Sequence, residues 1–326
     1  MPIRERTRKI HRFVRKVFTR LHDRAMGPAT EEEERLVAEL RKTFSELPES
    51  TSENPETTEH QWLENISRLR QAVQRRDPRE FLRWHVVSAS MSAKYPQYAD
   101  AEFDYLKALV DWKSRWRLAI QESPVGHPVP YYRHPGSSAN LIHQAYHVAR
   151  FEQELHDDLT RAPLILEFGG GYGCMCRLLH KLGYSGCHVI FDLPEFSELQ
   201  RFYLRSVGLP LRHADRLKAR EQGIYCISDL DVLKDLLCQS PPGPGAAFIA
   251  TWSISETPLQ LRNVIVPLVS TFDRFLIAYQ HRFAQIDNMA WFQDWRNTIG
   301  DVEWHHCEIS HMRGSSYMMG TVRRKR

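Results

Sequence analysis

Hydrophobic positions in the first half of the chain recur at helical spacing. In residues 10 to 21, Ile10, Phe13, Val14, Val17, Phe18 and Leu21 follow the i, i+3, i+4, i+7 pattern of one helical face, with basic residues mostly opposite. Thr30 followed by Glu33 is a capping-box start, and Glu31 to Glu34 suit the positive end of a helix dipole. A polar, Pro-containing stretch at 47 to 58 reads as a linker, after which Trp62, Ile66, Leu69 and Val73 share one side of the next helix. Asp77-Pro78-Arg79-Glu80 joins an N-cap to a proline in the first helical position. It predicts a helix lined by Phe81, Leu82, Trp84, Val87 and Met91, and Phe103, Leu106, Val110 and Trp116 predict a further one. Residues 123 to 138, with Pro124, Gly126, Pro128, Pro130, Pro135 and Gly136, break the pattern as an ordered loop or hinge. Ser137 or Ser138 then caps a helix running to about Leu155.

From residue 163 short apolar runs alternate with helical segments. Leu164 to Glu167, His188 to Asp192, Tyr225 to Ile227, Ala247 to Thr251 and Phe275 to Tyr279 read as buried strands, each followed by a helix-like segment. Alternation with short connections implies a parallel sheet covered by helices on both faces. Glu303 to Ile309 and Tyr317 to Val322, separated by Met312-Arg313-Gly314-Ser315, suit an antiparallel hairpin at one edge. The expected chain is therefore α/β: an all-helical region over residues 1–160 and a mostly parallel sheet domain over 161–326.

Composition narrows the function classes. The chain has 326 residues, 42% of them hydrophobic, enough for about two domains. Mean hydropathy is −0.48, and no apolar run approaches the roughly 20 residues of a membrane-spanning helix. Arg and Lys recur from Arg4 to Arg24 where a secretory segment would be apolar, so a cytoplasmic protein is expected. Basic charge is concentrated at the two ends, with nine Lys or Arg against Glu5 and Asp23 in the first 25 residues, and Arg323, Arg324, Lys325 and Arg326 at the other end. A nucleic-acid binder would spread its basic footprint over a folded face, so nucleic acid is not the expected partner. The basic amphipathic segment 8–24 suits either contact with an anionic membrane or partner, or packing on its own protein with a solvated charged face. The six cysteines form no Cys-x-x-Cys pair and read as free thiols, with no metal site expected.

Glu167-Phe168-Gly169-Gly170-Gly171-Tyr172-Gly173 lies where a buried strand turns into a helix, the place at which open α/β sheets bind nucleotide-like ligands. Counted from Gly169, a dinucleotide fingerprint would need its third glycine at Cys174, so that pattern fails. Asp192 ends the second strand, 19 residues beyond Gly173, where a carboxylate can accept hydrogen bonds from two ribose hydroxyls.

The acid-x-Gly-x-Gly-x-Gly pattern at Glu167, Gly169, Gly171 and Gly173 resembles motif I of class I S-adenosylmethionine-dependent methyltransferases. Extended through Phe191-Asp192-Leu193-Pro194 and the helix containing Leu199-Gln200, it resembles the sugar O-methyltransferase family, as do Asn140 to His147 and Thr251 to Glu256. The resemblance covers roughly residues 80 to 322. It implies a Rossmann-like methyltransferase sheet and S-adenosyl-L-methionine as cofactor. It also implies a small sugar-like acceptor, with a phenolic or polyketide hydroxyl, or an amine, as alternatives, and a non-catalytic cofactor-binding scaffold subunit as the reading from another class. Carried over by position, Glu167 supports the methionine amine or the turn, Gly169, Gly170, Gly171 and Gly173 admit the ligand, Asp192 holds the ribose and Thr251 borders the sulfonium. Asp229 either meets the adenine amine or caps the next helix.

Transfer to an alcohol needs alignment and a group to remove the hydroxyl proton. Glu256, after the fourth strand, and His281, after the fifth, are expected at the carboxyl edge of the sheet. His143 and His147, four apart on the preceding helix, flank the same cleft. No Asp ends the fourth strand, so a metal-independent mechanism is expected.

Overall fold

A computed structural model describes residues 17–23, 25–48, 58–91, 98–239 and 241–322. Ten helices matter here: α1 (Glu31–Glu46), α2 (Thr58–Arg75), α3 (His85–Ser90), α4 (Tyr98–Ala108), α5 (Ala139–Leu155), α6 (Cys174–Lys181), α7 (Pro194–Ser206), α8 (Leu230–Gln239), α9 (Leu259–Val269) and α10 (Asn288–Thr298). The strands are β1 (Leu164–Phe168), β2 (Cys187–Phe191), β3 (Gly223–Ile227), β4 (Ala247–Thr251), β5 (Arg274–Gln280), β6 (Val302–Glu308) and β7 (Ser315–Val322).

These seven strands form one sheet in the order β6-β7-β5-β4-β1-β2-β3. β3, β2, β1, β4 and β5 run parallel, whereas β7 is antiparallel to both β5 and β6. The expected Rossmann-like sheet is present, with the last strand of the edge hairpin inserted beside β5. Strands β1, β2 and β3 are buried throughout, which explains why they read as continuous apolar runs with no alternation. The order reverses at β1, between β2 and β4, and β1 runs into the glycine turn, so that turn sits at the switch point of the sheet.

The first half is helical as expected, with two differences. Asp77 does cap, accepting from the Arg79 N–H, but the chain after it is a 3₁₀ turn, Pro78–Arg83, broken by Glu80 at φ −109°, and α3 starts only at His85. Helix α4 stops at Ala108, leaving Val110 fully exposed instead of lining a core. The chain then widens into a π-turn at Trp112–Trp116, where the Trp112 ring meets Phe103 edge-on at 5.6 Å. Thr30 forms the full capping box with Glu33, and Ser138 caps α5 by accepting from the Leu141 N–H at 3.1 Å. Residues 123 to 138 are ordered and contain a two-stranded ribbon, Pro130–Tyr131 with His134–Ser138.

One face of the sheet shares a single apolar cluster with the helical region, running from Leu36, Leu69, Phe81 and Phe103 to Ile165, Leu178 and Tyr317. Ion pairs reinforce it. Arg70 of α2 meets the fully buried Glu195 of α7 at 2.5 Å, and Arg177 of α6 meets Glu122 at 2.8 Å. The opposite face packs on α8, α9 and α10 through Phe248, Phe275, Phe292 and Trp295. Of segment 8–24 only 17–23 is described, where Phe18 and Leu21 are exposed; the remainder and the basic end at 323–326 lie outside the described residues. No described helix is long and apolar enough to cross a membrane.

Candidate functional site

The turn after β1 is built from alternate residues with left-handed backbone: Gly169 at φ +73°, Gly171 at +58° and Gly173 at +93°. Gly169 has a second constraint, because a Cβ there would lie 2.2 Å from Ser253 Cβ. A Cβ on Gly171 would instead meet only Met91 at 3.4 Å, so the chain at this point is bare and covered by a flexible side chain of the helical region. Tyr172, behind the turn, packs edge-on against Phe81 at 5.7 Å and accepts a hydrogen bond from the Asn140 amide at 3.0 Å. Gly170 backs onto Ile190, with its would-be Cβ 3.1 Å from Glu167 Oε1.

Asp192 stands where β2 ends, beside the turn as expected. Its Oδ2 accepts from the Gly171 N–H at 3.0 Å and the Gln200 amide at 2.9 Å, and its Oδ1 accepts from the Leu193 N–H at 2.8 Å. Burial pushes its carboxyl up to about 7, against the pull of these donors. Glu167 is buried beneath the turn, bonded through Oε2 to His188 Nε2 at 3.0 Å, and burial raises it to about 8. It supports the turn from below.

Thr251 closes β4, half-buried. Trp252 follows in left-handed conformation at φ +70°, and Ser253 Oγ donates to the Phe168 carbonyl, tying β4 to the glycine turn. Asp229 Oδ1 accepts from the Asp231 and Val232 N–H groups, capping the start of α8.

The acid–base candidates fall into two places. Glu256 accepts from the Gln280 amide at 3.1 Å, and His281 is bonded to Ser316 Oγ at 2.8 Å, so both are tied to the strand ends of β5 and β7. His143 and His147 sit together on α5 with their Nε2 atoms 3.1 Å apart. The Trp252 ring lies parallel to His143 at 6.1 Å, and its indole N–H points at His143 Nε2 from 3.4 Å. His143 is thereby joined to the β4 end of the cleft.

Two partners of this pair were not foreseen. Glu102 of α4, fully buried, accepts from His143 Nδ1 at 2.7 Å and from His311 Nε2 at 2.9 Å. Burial alone would raise its carboxyl, but His143 and His311 outweigh that and hold it at about 2. An ionised Glu102 fixes a His143 proton on Nδ1, so Nε2 faces His147 Nε2 and the Trp252 indole N–H as an acceptor. Tyr317 closes the other end, its hydroxyl 2.5 Å from His147 Nδ1. Burial keeps His147 neutral, well below its ordinary range. A buried carboxylate in a helix carries no local sequence signal, since its partner lies 41 residues away.

No family model and no curated protein sequence matches the chain. Its solved structural neighbours include the methyltransferase domain of a bacterial Hen1 at 13% identity, covering 56% of this chain and 98% of that one, TM-score 0.41. Magnesium protoporphyrin IX methyltransferase from Synechocystis PCC 6803, with bound SAM, aligns at 13% identity over 70% of this chain and 97% of that one, TM-score 0.38. Fibrillarin from Methanococcus jannaschii, a pre-rRNA processing protein, aligns at 13% over 51% and 69%, TM-score 0.35. These are distant likenesses, and no substrate or partner is taken from them.

Proposed function

We propose that the protein is an S-adenosylmethionine-dependent methyltransferase acting on a hydroxyl group, with a sugar or glycosylated metabolite as acceptor. The observation that carries this reading is the bare turn at Gly169 to Gly173 clamped to Asp192 through the Gly171 N–H. The cradle fits the cofactor: Gly171 leaves room for a ligand against the backbone, and Asp192 presents a carboxylate at the strand end where a ribose would lie. The acceptor class rests on the resemblance of the Asp192-Leu193-Pro194 strand end and the Thr251 to Glu256 segment to sugar O-methyltransferases.

When bound, S-adenosylmethionine supplies an electrophilic methyl group on a sulfonium. The chain's task is to place the acceptor oxygen in line with it and remove the oxygen's proton. We assign the base role to His143, whose Nε2 meets His147 Nε2 at 3.1 Å and the Trp252 indole N–H at 3.4 Å, so an acceptor hydroxyl must displace the Trp252 contact to reach it. Glu102 accepts the Nδ1 proton, so it orients the ring and stabilises the imidazolium formed when Nε2 takes up the hydroxyl proton. Trp252, half-buried between His143 and the end of β4, forms the wall that the acceptor must share. Met91 from the helical region covers the cofactor side at Gly171.

The test is turnover. Pure protein with methyl-labelled cofactor and a panel of sugar nucleotides, glycosides and phenols should label at least one glycosidic acceptor at its hydroxyl. Labelling of phenols alone would move the acceptor class, and firm cofactor binding without transfer to any acceptor would favour a scaffold role.

A further inference from the structure

Beneath the glycine turn, on the side facing α6, three nitrogen and sulfur donors converge that the methyltransferase reading does not use. Cys176 and His180 are four residues apart on α6, so one helical face carries both, and His188 points at them from β2. One ligand atom from each lies within 4.8 Å of the other two. A zinc ion at about 2.3 Å from sulfur and about 2.0 Å from nitrogen would hold such atoms roughly 3.5 Å apart, a contraction within reach of side-chain rotation.

The hydrogen bonding points to a missing ligand. His188 is fully buried and its Nδ1 has no partner among the described residues, while Nε2 is taken by Glu167. His180 Nε2 is likewise buried and without a partner. The two imidazoles stack at 5.8 Å, and Tyr184 encloses them edge-on, 5.4 Å from His180 and 5.6 Å from His188, while its hydroxyl is satisfied by the Cys187 carbonyl. A buried polar atom without a partner is unfavourable, and two of them occur on the same two imidazoles whose ligand atoms converge with Cys176. Glu167 completes the pattern seen around metal-bound histidine: with an ion on Nδ1, His188 keeps its proton on Nε2, where Glu167 Oε2 at 3.0 Å accepts it.

We propose that Cys176 Sγ, His180 Nε2 and His188 Nδ1 bind one divalent zinc ion, with Glu167 orienting His188 and water filling the fourth tetrahedral position. A soft thiolate with two imidazoles selects zinc over magnesium or calcium, which take oxygen donors. Binding releases the thiol proton to solvent and leaves the sulfur as thiolate. The site is independent of the cofactor reading, because its readout is metal content and not turnover.

The experiment uses the full chain, stripped of metal and titrated with Co²⁺ as a spectroscopic probe, then with Zn²⁺. One equivalent of Co²⁺ per chain, with a thiolate-to-cobalt charge-transfer band that Zn²⁺ abolishes, is the expected result. Cys176→Ser should remove the charge-transfer band, His188→Gln should weaken Zn²⁺ binding at least a hundredfold, and Glu167→Gln should weaken it about 10- to 100-fold. Cys238→Ser, at an exposed thiol, should change nothing. If Cys176→Ser fails to fold, His180→Gln, on the partly exposed edge, carries the comparison, and the wild-type titration stands alone in any case. Absence of stoichiometric binding by the wild-type chain, or undiminished binding in both the Cys176 and His188 variants, would overturn the proposal.

Discussion

Replacement of Asp192 by Ala puts the cofactor site to its sharpest test. A carboxylate offers about four lone-pair positions. Three protein donors already occupy Asp192, the N–H groups of Gly171 and Leu193 and the amide of Gln200. One position therefore remains for a ribose hydroxyl, and a second only if Gln200 swings away. A hydrogen bond to a charged group contributes about 1.5–3 kcal/mol, which at about 1.4 kcal/mol per tenfold is a loss of roughly 10- to 150-fold in affinity. Calorimetric titration with S-adenosylhomocysteine at pH 8 should show this increase in Kd. Because burial raises Asp192 to about 7, the parent's affinity should be flat above that pH and fall about tenfold per unit below it, as the protonated acid loses an acceptor. The variant should lose that slope. Gln200→Ala removes only the competing donor and should shift Kd by less than tenfold. A folded Asp192→Ala protein whose Kd stays within about threefold of the parent would refute the assigned ribose contact.

Three further outcomes are expected. His143→Ala should lower kcat by about 10² to 10⁴ at saturating acceptor while leaving the cofactor Kd within about threefold; equal losses in both would make His143 structural. Glu102 is held below its ordinary value, so its share of stability is present above about pH 4.5 and is lost as pH falls through about 2. Melting temperatures across that window should fall in the parent and fall less in Glu102→Gln, which starts lower at neutral pH because a buried partner is gone. Gly169→Ala should destabilise the fold by a few kcal/mol in chemical denaturation, from left-handed strain plus the contact with Ser253, and an unchanged midpoint would mean the turn is looser than described.

What could be read in advance was what local chemistry dictates. The glycine turn announces itself because each left-handed position excludes side chains, and Asp192 follows at the distance one βα unit sets. The buried strands showed as apolar runs because both faces are covered. Long-range pairing left no such trace. Glu102 looks like any polar residue on α4 until α5 brings His143 against it, and His311 arrives from the β6–β7 connection. The Cys176 and His180 spacing was visible, but without His188 from the next strand it reads as ordinary helix packing. Val110 failed as a core position because α4 ends two residues before it, letting Trp112 turn back onto Phe103 and His134.

Buried polar groups in this chain divide by whether their hydrogen bonds are complete. Arg262 is fully buried, yet Nε, Nη1 and Nη2 reach the Thr257 carbonyl, Asn288 and the Ser255 carbonyl, and the guanidinium faces Trp291 at 4.8 Å. Three of its five N–H donors are thereby satisfied, which ties the β4–α9 connection to α10. Glu102 Oε2, His180 Nε2 and His188 Nδ1 are the opposite: polar atoms enclosed without a hydrogen-bond partner among the described residues. Leaving them so costs stability, and a sequence that keeps them must gain something that an apolar core would not give. At Glu102 that gain is a carboxylate able to stabilise a charged His143. At His180 and His188 it is the metal site proposed with Cys176. Truncating Arg262 to Met should therefore lower stability without touching either chemistry, whereas Glu102→Gln and His188→Gln should alter proton transfer and metal uptake respectively, even where the fold survives.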